Sequence, residues 1–243
     1  MKQTLGALVV AVLGGISTQA WAAPQLIQTA TIYEKGSNHK KPIYQWKRYQ
    51  EKQGEKTIYR TSFLSLDGKQ DLVSEETVLD KGKLQHFTQD LKFSSDSGSI
   101  KVVDGKVHFS FTSQGETKTD QETLENNFVI GPTIVDYLHG NWTDLIEGKD
   151  VSVRLGVVDR KETVGFKFFK IDDSTVDSQK VLVVKMKPTS FVIAAIVDPL
   201  IFKFNRADKR LLEVVGRTPI KVKKGDKWDT LDAETVYDLP ISR

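Results

Sequence analysis

The chain has 243 residues, no cysteine, 39% hydrophobic and 28% charged residues, and a formal net charge of +3. The missing thiols exclude disulfides, thiolate catalysis, cysteine metal sites and a lipid anchor attached to a lipoprotein cysteine. The near balance of charge speaks against a nucleic-acid partner, and the apolar fraction suffices for a core but not for a membrane protein. Basic residues outnumber acidic ones after Ser178, which fits either an anionic lipid surface or ordinary solvated lysines on strand faces.

Residues Met1 to Ala22 have the three parts of a cleavable secretory signal. Lys2 is the positive end, Leu5 to Ile16 the apolar stretch, and Ala20-Trp21-Ala22 a small-x-small cleavage site near Ala22–Ala23. The apolar stretch is shorter than the ~20 residues of a spanning helix. The expectation is a periplasmic or secreted protein whose mature part, residues 23–243, is a single β-rich domain without a transmembrane span or lipid anchor.

Turn signals recur from Gly54 through Asp67-Gly68, Gly82 and Asp104-Gly105 to Gly115, at roughly the 8–12-residue spacing of a meandering sheet. Between them apolar residues alternate with polar ones. Phe87, Leu91 and Phe93 share one phase, and Val107, Phe109 and Phe111 alternate with His108, Ser110 and Thr112. Ser94 to Ser99 reads as a polar loop. Pro132 to Glu147 places Ile134, Val135, Leu138, Trp142, Leu145 and Ile146 on one helical stripe, with Pro at a helix start and Gly148 at its stop.

Strand patterning returns at Val151, Val153, Leu155 and Val157, turns at Asp159 to Glu162, and continues at Val164, Phe166 and Phe168. The apolar phase switches from odd to even across that turn, which implies a tight turn or a bulge. Thr189 to Val197, with Phe191 and Ile196, fits a short apolar helix or a buried strand, and Asp198-Pro199 ends it. Leu200, Phe202 and Phe204 resume the alternation. The expected fold is mainly β: a long antiparallel up-and-down meander forming a curved sheet or unclosed barrel, with one amphipathic helix at about 132–147 and a possible short helix at about 189–197.

No chemical motif emerges. His39, His86, His108 and His139 form no paired ligand spacing and read as surface residues. There is no nucleophile elbow, P-loop or dinucleotide fingerprint, and Asp172-Asp173-Ser174 lacks the glycine and final Glu of a calcium loop. No catalytic residue, metal or cofactor is expected. Arg154, Arg160 and Glu162 share a parity around the 159–162 turn: inside a cavity they would form a polar cluster able to hold an acidic headgroup, and on the surface an ion pair.

The signal, the long meander, the mid-chain helix and the late hairpin from Asp198-Pro199-Leu200 to Gly216-Arg217, turning at Arg206-Ala207-Asp208-Lys209, resemble the lipoprotein-carrier-like fold, an unclosed β-barrel cup with helical lids. The chain is also similar to exported bacterial β-rich proteins of unknown function. The resemblance is architectural and carries no site residue across. It implies a cup lined by Val164, Phe166, Phe168, Phe202 and Phe204, with Ile134, Leu138, Trp142 and the stretch from Phe191 through Ile196 to Val197 as lids. The competing reading of the same residues is a filled core. Three functions follow in order: a non-enzymatic envelope carrier or chaperone for a lipid, an acylated protein or another apolar ligand; an envelope scaffold for a protein partner; and an envelope hydrolase.

Overall fold

The computed structural model describes residues 23–176, 179–195 and 197–241; the signal reading of Met1 to Ala22 and the expected lid residue Ile196 lie outside the described residues. The alternation becomes one sheet. Strands β1 (Gln25–Glu34), β2 (Pro42–Gln53), β3 (Lys56–Ser65), β4 (Asp71–Asp80), β5 (Lys83–Leu91), β6 (Asp96–Val103), β7 (Lys106–Ser113) and β8 (Glu116–Thr123) form an outward meander. The chain continues through β9 (Phe128–Val129), a 3-10 turn at Gly131–Thr133, helices α1 (Ile134–Gly140) and α2 (Trp142–Ile146), and strands β10 (Val151–Val157), β11 (Glu162–Val176) and β12 (Gln179–Pro188). Helix α3 (Phe191–Ala194) and strands β13 (Leu200–Asn205), β14 (Leu211–Lys224) and β15 (Lys227–Tyr237) complete it. The hairpins at Asp104-Gly105 and Gln114-Gly115 place both turn residues at positive φ, which matches the twist of the strands they join.

The strand order is β8-β7-β6-β5-β4-β3-β2-β1-β15-β14-β13-β12-β11-β10-β9. The first and last long strands pair at the centre, with Ala30 opposite Tyr237. Laid flat, 15 strands would hold the edges about 65–70 Å apart. Yet only residues 124–127 join the end of β8 to the start of β9, and so short a segment reaches no more than about 18 Å. The sheet therefore curls until its edges approach, without closing into a barrel. The contacts between limbs agree: a Cβ built on Gly98 of β6 would lie 2.0 Å from Val158 beyond β10, and one on Gly156 would lie 3.0 Å from Ile100. At those positions glycine lets one limb close on the other.

Strand β9 pairs parallel with β10, and a parallel pair needs a crossover connection. Helices α1 and α2 supply it and lie on the concave face. The expected single helix is interrupted at Asn141, whose N–H is shared between the Tyr137 and Leu138 carbonyls and whose side chain bonds the Tyr137 carbonyl at 2.8 Å. The apolar stripe survives the break: Ile134, Leu138, Trp142 and Leu145 are all buried. The second expected helix shrinks to α3, capped by Ser190. The polar loop expected at Ser94 to Ser99 also shrinks, because β6 begins at Asp96. Among the described residues no helix is long and apolar enough to cross a membrane.

Candidate functional site

The apolar residues singled out from the sequence fall almost entirely in one cluster. Ile134, Leu138 and Trp142 of the helices pack on Val164, Phe166 and Phe168 of β11 and Phe202 and Phe204 of β13, all buried. Phe168 meets Phe202 edge-on, and Trp142 meets Phe204 likewise. These side chains fill the space they were expected to line. Phe191 is the exception: at 89% exposure it covers nothing, because the four-residue α3 turns it outward.

The expected polar cluster also separates. Arg160 and Glu162 form an exposed pair. Arg154 instead donates to the Thr163 carbonyl and hydroxyl and pairs with Glu125. In this hairpin even residues face odd ones, Arg154 opposite Gly165 and Val153 opposite Phe166. Shared parity on the two strands therefore means opposite faces, and the odd-to-even switch needs no bulge.

The other limb holds what the sequence reading missed. On the concave face of β2 to β6, the register aligns Arg48, Thr61, Glu75, Gln89 and Gly98 in one lateral row. The row on one side is apolar: Trp46, Phe63, Val73 and Leu91. The row on the other side is Gln50, Tyr59, Thr77 and Phe87. Tyr237, reaching across from β15, stands edge-on to Trp46 at 5.2 Å. Polar side chains thus occupy the inward phase, where burial favours apolar ones.

Glu75 accepts a 2.8 Å hydrogen bond from Gln89. Burial nonetheless pushes its carboxyl up to about 7, outweighing that bond and the charge of Arg48, which both favour the carboxylate. Glu75 still keeps part of its accessible surface. Tyr237 sits in the same surroundings: burial pushes its hydroxyl up to about 12, with Arg48 and Glu75 both acting on it. Burial also raises Tyr59, which feels Arg48 and Asp136 of α1.

Arg48 is the row's cation. Its guanidinium lies 4.1 Å over the Tyr59 ring, donates one long 3.4 Å bond to the Pro132 carbonyl, and has a buried Nε without a partner. Among the described residues no carboxylate forms an ion pair with it. A buried donor without a partner is costly, and the guanidinium's fork of donors suits a carboxylate or phosphate. The signal in the sequence was a polar residue inside each apolar phase: Arg48 after Trp46, Glu75 between Val73 and Thr77, Gln89 between Phe87 and Leu91.

Residues with metal-ligand chemistry gather elsewhere, on the convex face, where His39, Glu213 and Glu234 converge. Compared with family models, curated proteins and solved structures, the chain matches none.

Proposed function

We propose that this protein is a non-catalytic cell-envelope binder of an anionic amphiphile, such as a fatty acid, lipid or acylated partner, held on the concave face of the curved sheet. The observation that carries the reading is Arg48 on that face, whose buried Nε has no hydrogen-bond partner and which no carboxylate among the described residues pairs with. Arg48, with Gln89 and the hydroxyls of Tyr59 and Tyr237, supplies the polar end of the site. Beside it lies the buried apolar row of Trp46, Phe63, Val73 and Leu91, and apolar residues next to a few polar groups are what a small-molecule site uses. Carrier-like use, signal-directed export and a periplasmic or secreted location belong to the same proposal.

The scaffold reading gains less support. Its exposed edges would have to accept a partner strand, but β9 is two residues long and β8 is polar throughout, as edges that resist pairing are. A hydrolase reading has Glu75 in its favour, since a carboxyl near 7 suits acid–base work. It also needs a nucleophile, and Glu75 hydrogen-bonds Gln89 and no hydroxyl among the described residues.

The test is retention and binding. Mass spectrometry of an organic extract of the purified protein is expected to show a co-purifying anionic lipid. A dansylated fatty acid is expected to bind once per chain and to quench Trp46. Arg48→Ala is expected to weaken that probe by about tenfold or more, the worth of a charged hydrogen bond, while leaving the corresponding dansylated alcohol unaffected. A clean extract with no probe binding, or equal affinity in Arg48→Ala, would remove the basis of this reading.

A further inference from the structure

We propose that His39, Glu213 and Glu234 form a binding site for one divalent transition-metal ion of the zinc class, on the convex face and separate from the Arg48 row. The three come from distant parts of the chain, with His39 and Glu213 separated by 174 positions. Register brings the carboxylates together. Val215 is opposite Glu234 on the β14–β15 ladder, which makes Glu213 a diagonal neighbour of Glu234, a spacing long side chains can bridge. The loop between β1 and β2 then delivers the imidazole. It is anchored where the Gly36 N–H donates to Glu234 at 2.8 Å, and the His39 ring leans on Tyr33 at 5.3 Å.

The carboxylate oxygens are divided in a way that suits a metal. One oxygen of each is held by an outer donor: Glu213 Oε2 by Lys203 at 2.6 Å, and Glu234 Oε1 by the Gly36 N–H. The other two, Glu213 Oε1 and Glu234 Oε2, both face His39 Nε2, and one ligand atom from each of the three residues lies within 4.8 Å of the others. Such outer contacts orient ligands in protein metal sites. The Nε2 atom is 3.1 Å from Glu213 Oε1 and 3.8 Å from Glu234 Oε2. Ligands held about 2.1 Å from a tetrahedral ion stand about 3.4 Å apart, between those two distances.

The convergent Glu234 oxygen is buried and has no hydrogen-bond partner. The side chains of Glu213 and Glu234 are 8% and 12% exposed, whereas that of His39 is 45% exposed, leaving a path for an ion to enter. Two carboxylates facing one lysine and one imidazole carry excess negative charge, which a divalent ion would neutralise. Mixed imidazole and carboxylate ligands favour zinc and its first-row neighbours over calcium or magnesium, which take larger all-oxygen shells. The ion would pin the β1–β2 loop to β14 and β15, leaving a coordination position open.

The experiment is calorimetric titration of the chelator-treated full chain with Zn2+, alongside Co2+ titration followed by visible absorption. One ion per chain is expected, with a low-symmetry Co2+ spectrum, and excess Ca2+ or Mg2+ should not compete. His39→Ala and Glu234→Gln are each expected to lower Zn2+ affinity by at least the roughly 10–100-fold seen on losing an outer-shell partner, and to abolish the Zn2+-induced rise in melting temperature. The metal-free melting temperature of both variants serves as the check that they fold. Absence of Zn2+ binding would overturn the proposal. So would unchanged affinity in both folded variants, or equal competition by Ca2+.

Discussion

The two limbs of the sheet are built from the same antiparallel hairpins, yet their concave faces carry opposite chemistry. On β10 to β13 the inward phase is Phe, Val, Leu and Met, and α1 and α2 seal it with Leu138, Trp142 and Leu145. On β2 to β5 the inward phase alternates row by row, apolar beside polar, and the polar row carries a cation and a carboxyl. The first limb is accounted for by burial, at about 25 cal/mol for each Å² removed from water. The second is not, because burial penalises the charged form of Glu75 and leaves the Arg48 Nε without a partner. Where side chains fill a concave face, stability explains them; the polar row is what the proposed ligand would account for.

The largest expected effect breaks the filled limb. Phe168 has no exposed surface and stacks edge-on with Phe202 at 5.7 Å. Phe168→Ala is expected to cost about 3–5 kcal/mol, read from the urea midpoint, without altering probe affinity at Arg48. A cost below about 1 kcal/mol would mean that this limb has room to spare, and would return the ligand cup to the residues first suggested for it.

The second effect belongs to the polar limb and depends on pH. The Glu75 carboxyl has an ordinary value of 4.5 and a folded value of about 7. Below 4.5 both states hold the proton and nothing is lost. Between about 4.5 and 7 the unfolded chain releases it first, so stability falls as pH rises and stays reduced above 7. Discounting for its partial exposure, the loss is on the order of 2 kcal/mol. Glu75→Gln keeps a neutral side chain and is expected to regain that amount at pH 8 and nothing at pH 4, in paired urea titrations. Equal stability of variant and parent at pH 8 would mean that Glu75 is solvated like any surface carboxylate, and the contrast between the limbs would soften.

Much of this was legible in the sequence, for a definite reason. A two-residue period marks which side chains share a face, so the strands, the mainly β class and the curved meander could be read from residues such as Val107, Phe109 and Phe111. Periodicity says nothing about lateral alignment. Arg48, Glu75 and Gln89 become a row only once register sets them opposite Thr61 and one another. Register also undid the expected trio: Arg154 and Glu162 agree in parity yet face opposite ways because the hairpin pairs even with odd. The strand order was hidden as well, since the hop from Thr123 to Phe128 looks like any other short loop until both ends are known to be sheet edges.

The smallest expected effect tests whether the limbs act together. Glu122 is the one residue of β8 that is not fully exposed, and its carboxylate reaches across to β11. It accepts from the Thr163 N–H at 3.1 Å and from the Thr163 hydroxyl, while Arg154 donates to that same hydroxyl oxygen. No ladder joins β8 to β11, so this clasp adds to the packing of Val158 and Phe128 on Ile100 and Phe109 in holding the two edges together. Glu122→Ala leaves two Thr163 donors without an acceptor, and the expected cost is about 1–2 kcal/mol. The informative readouts are local: faster amide exchange at Thr163, and a faster association rate of the fatty-acid probe with little change in its affinity. Phe168→Ala is expected to change neither. If Glu122→Ala lowers stability but leaves the association rate alone, ligand enters by another route, and the near-meeting of the edges serves the fold rather than the site.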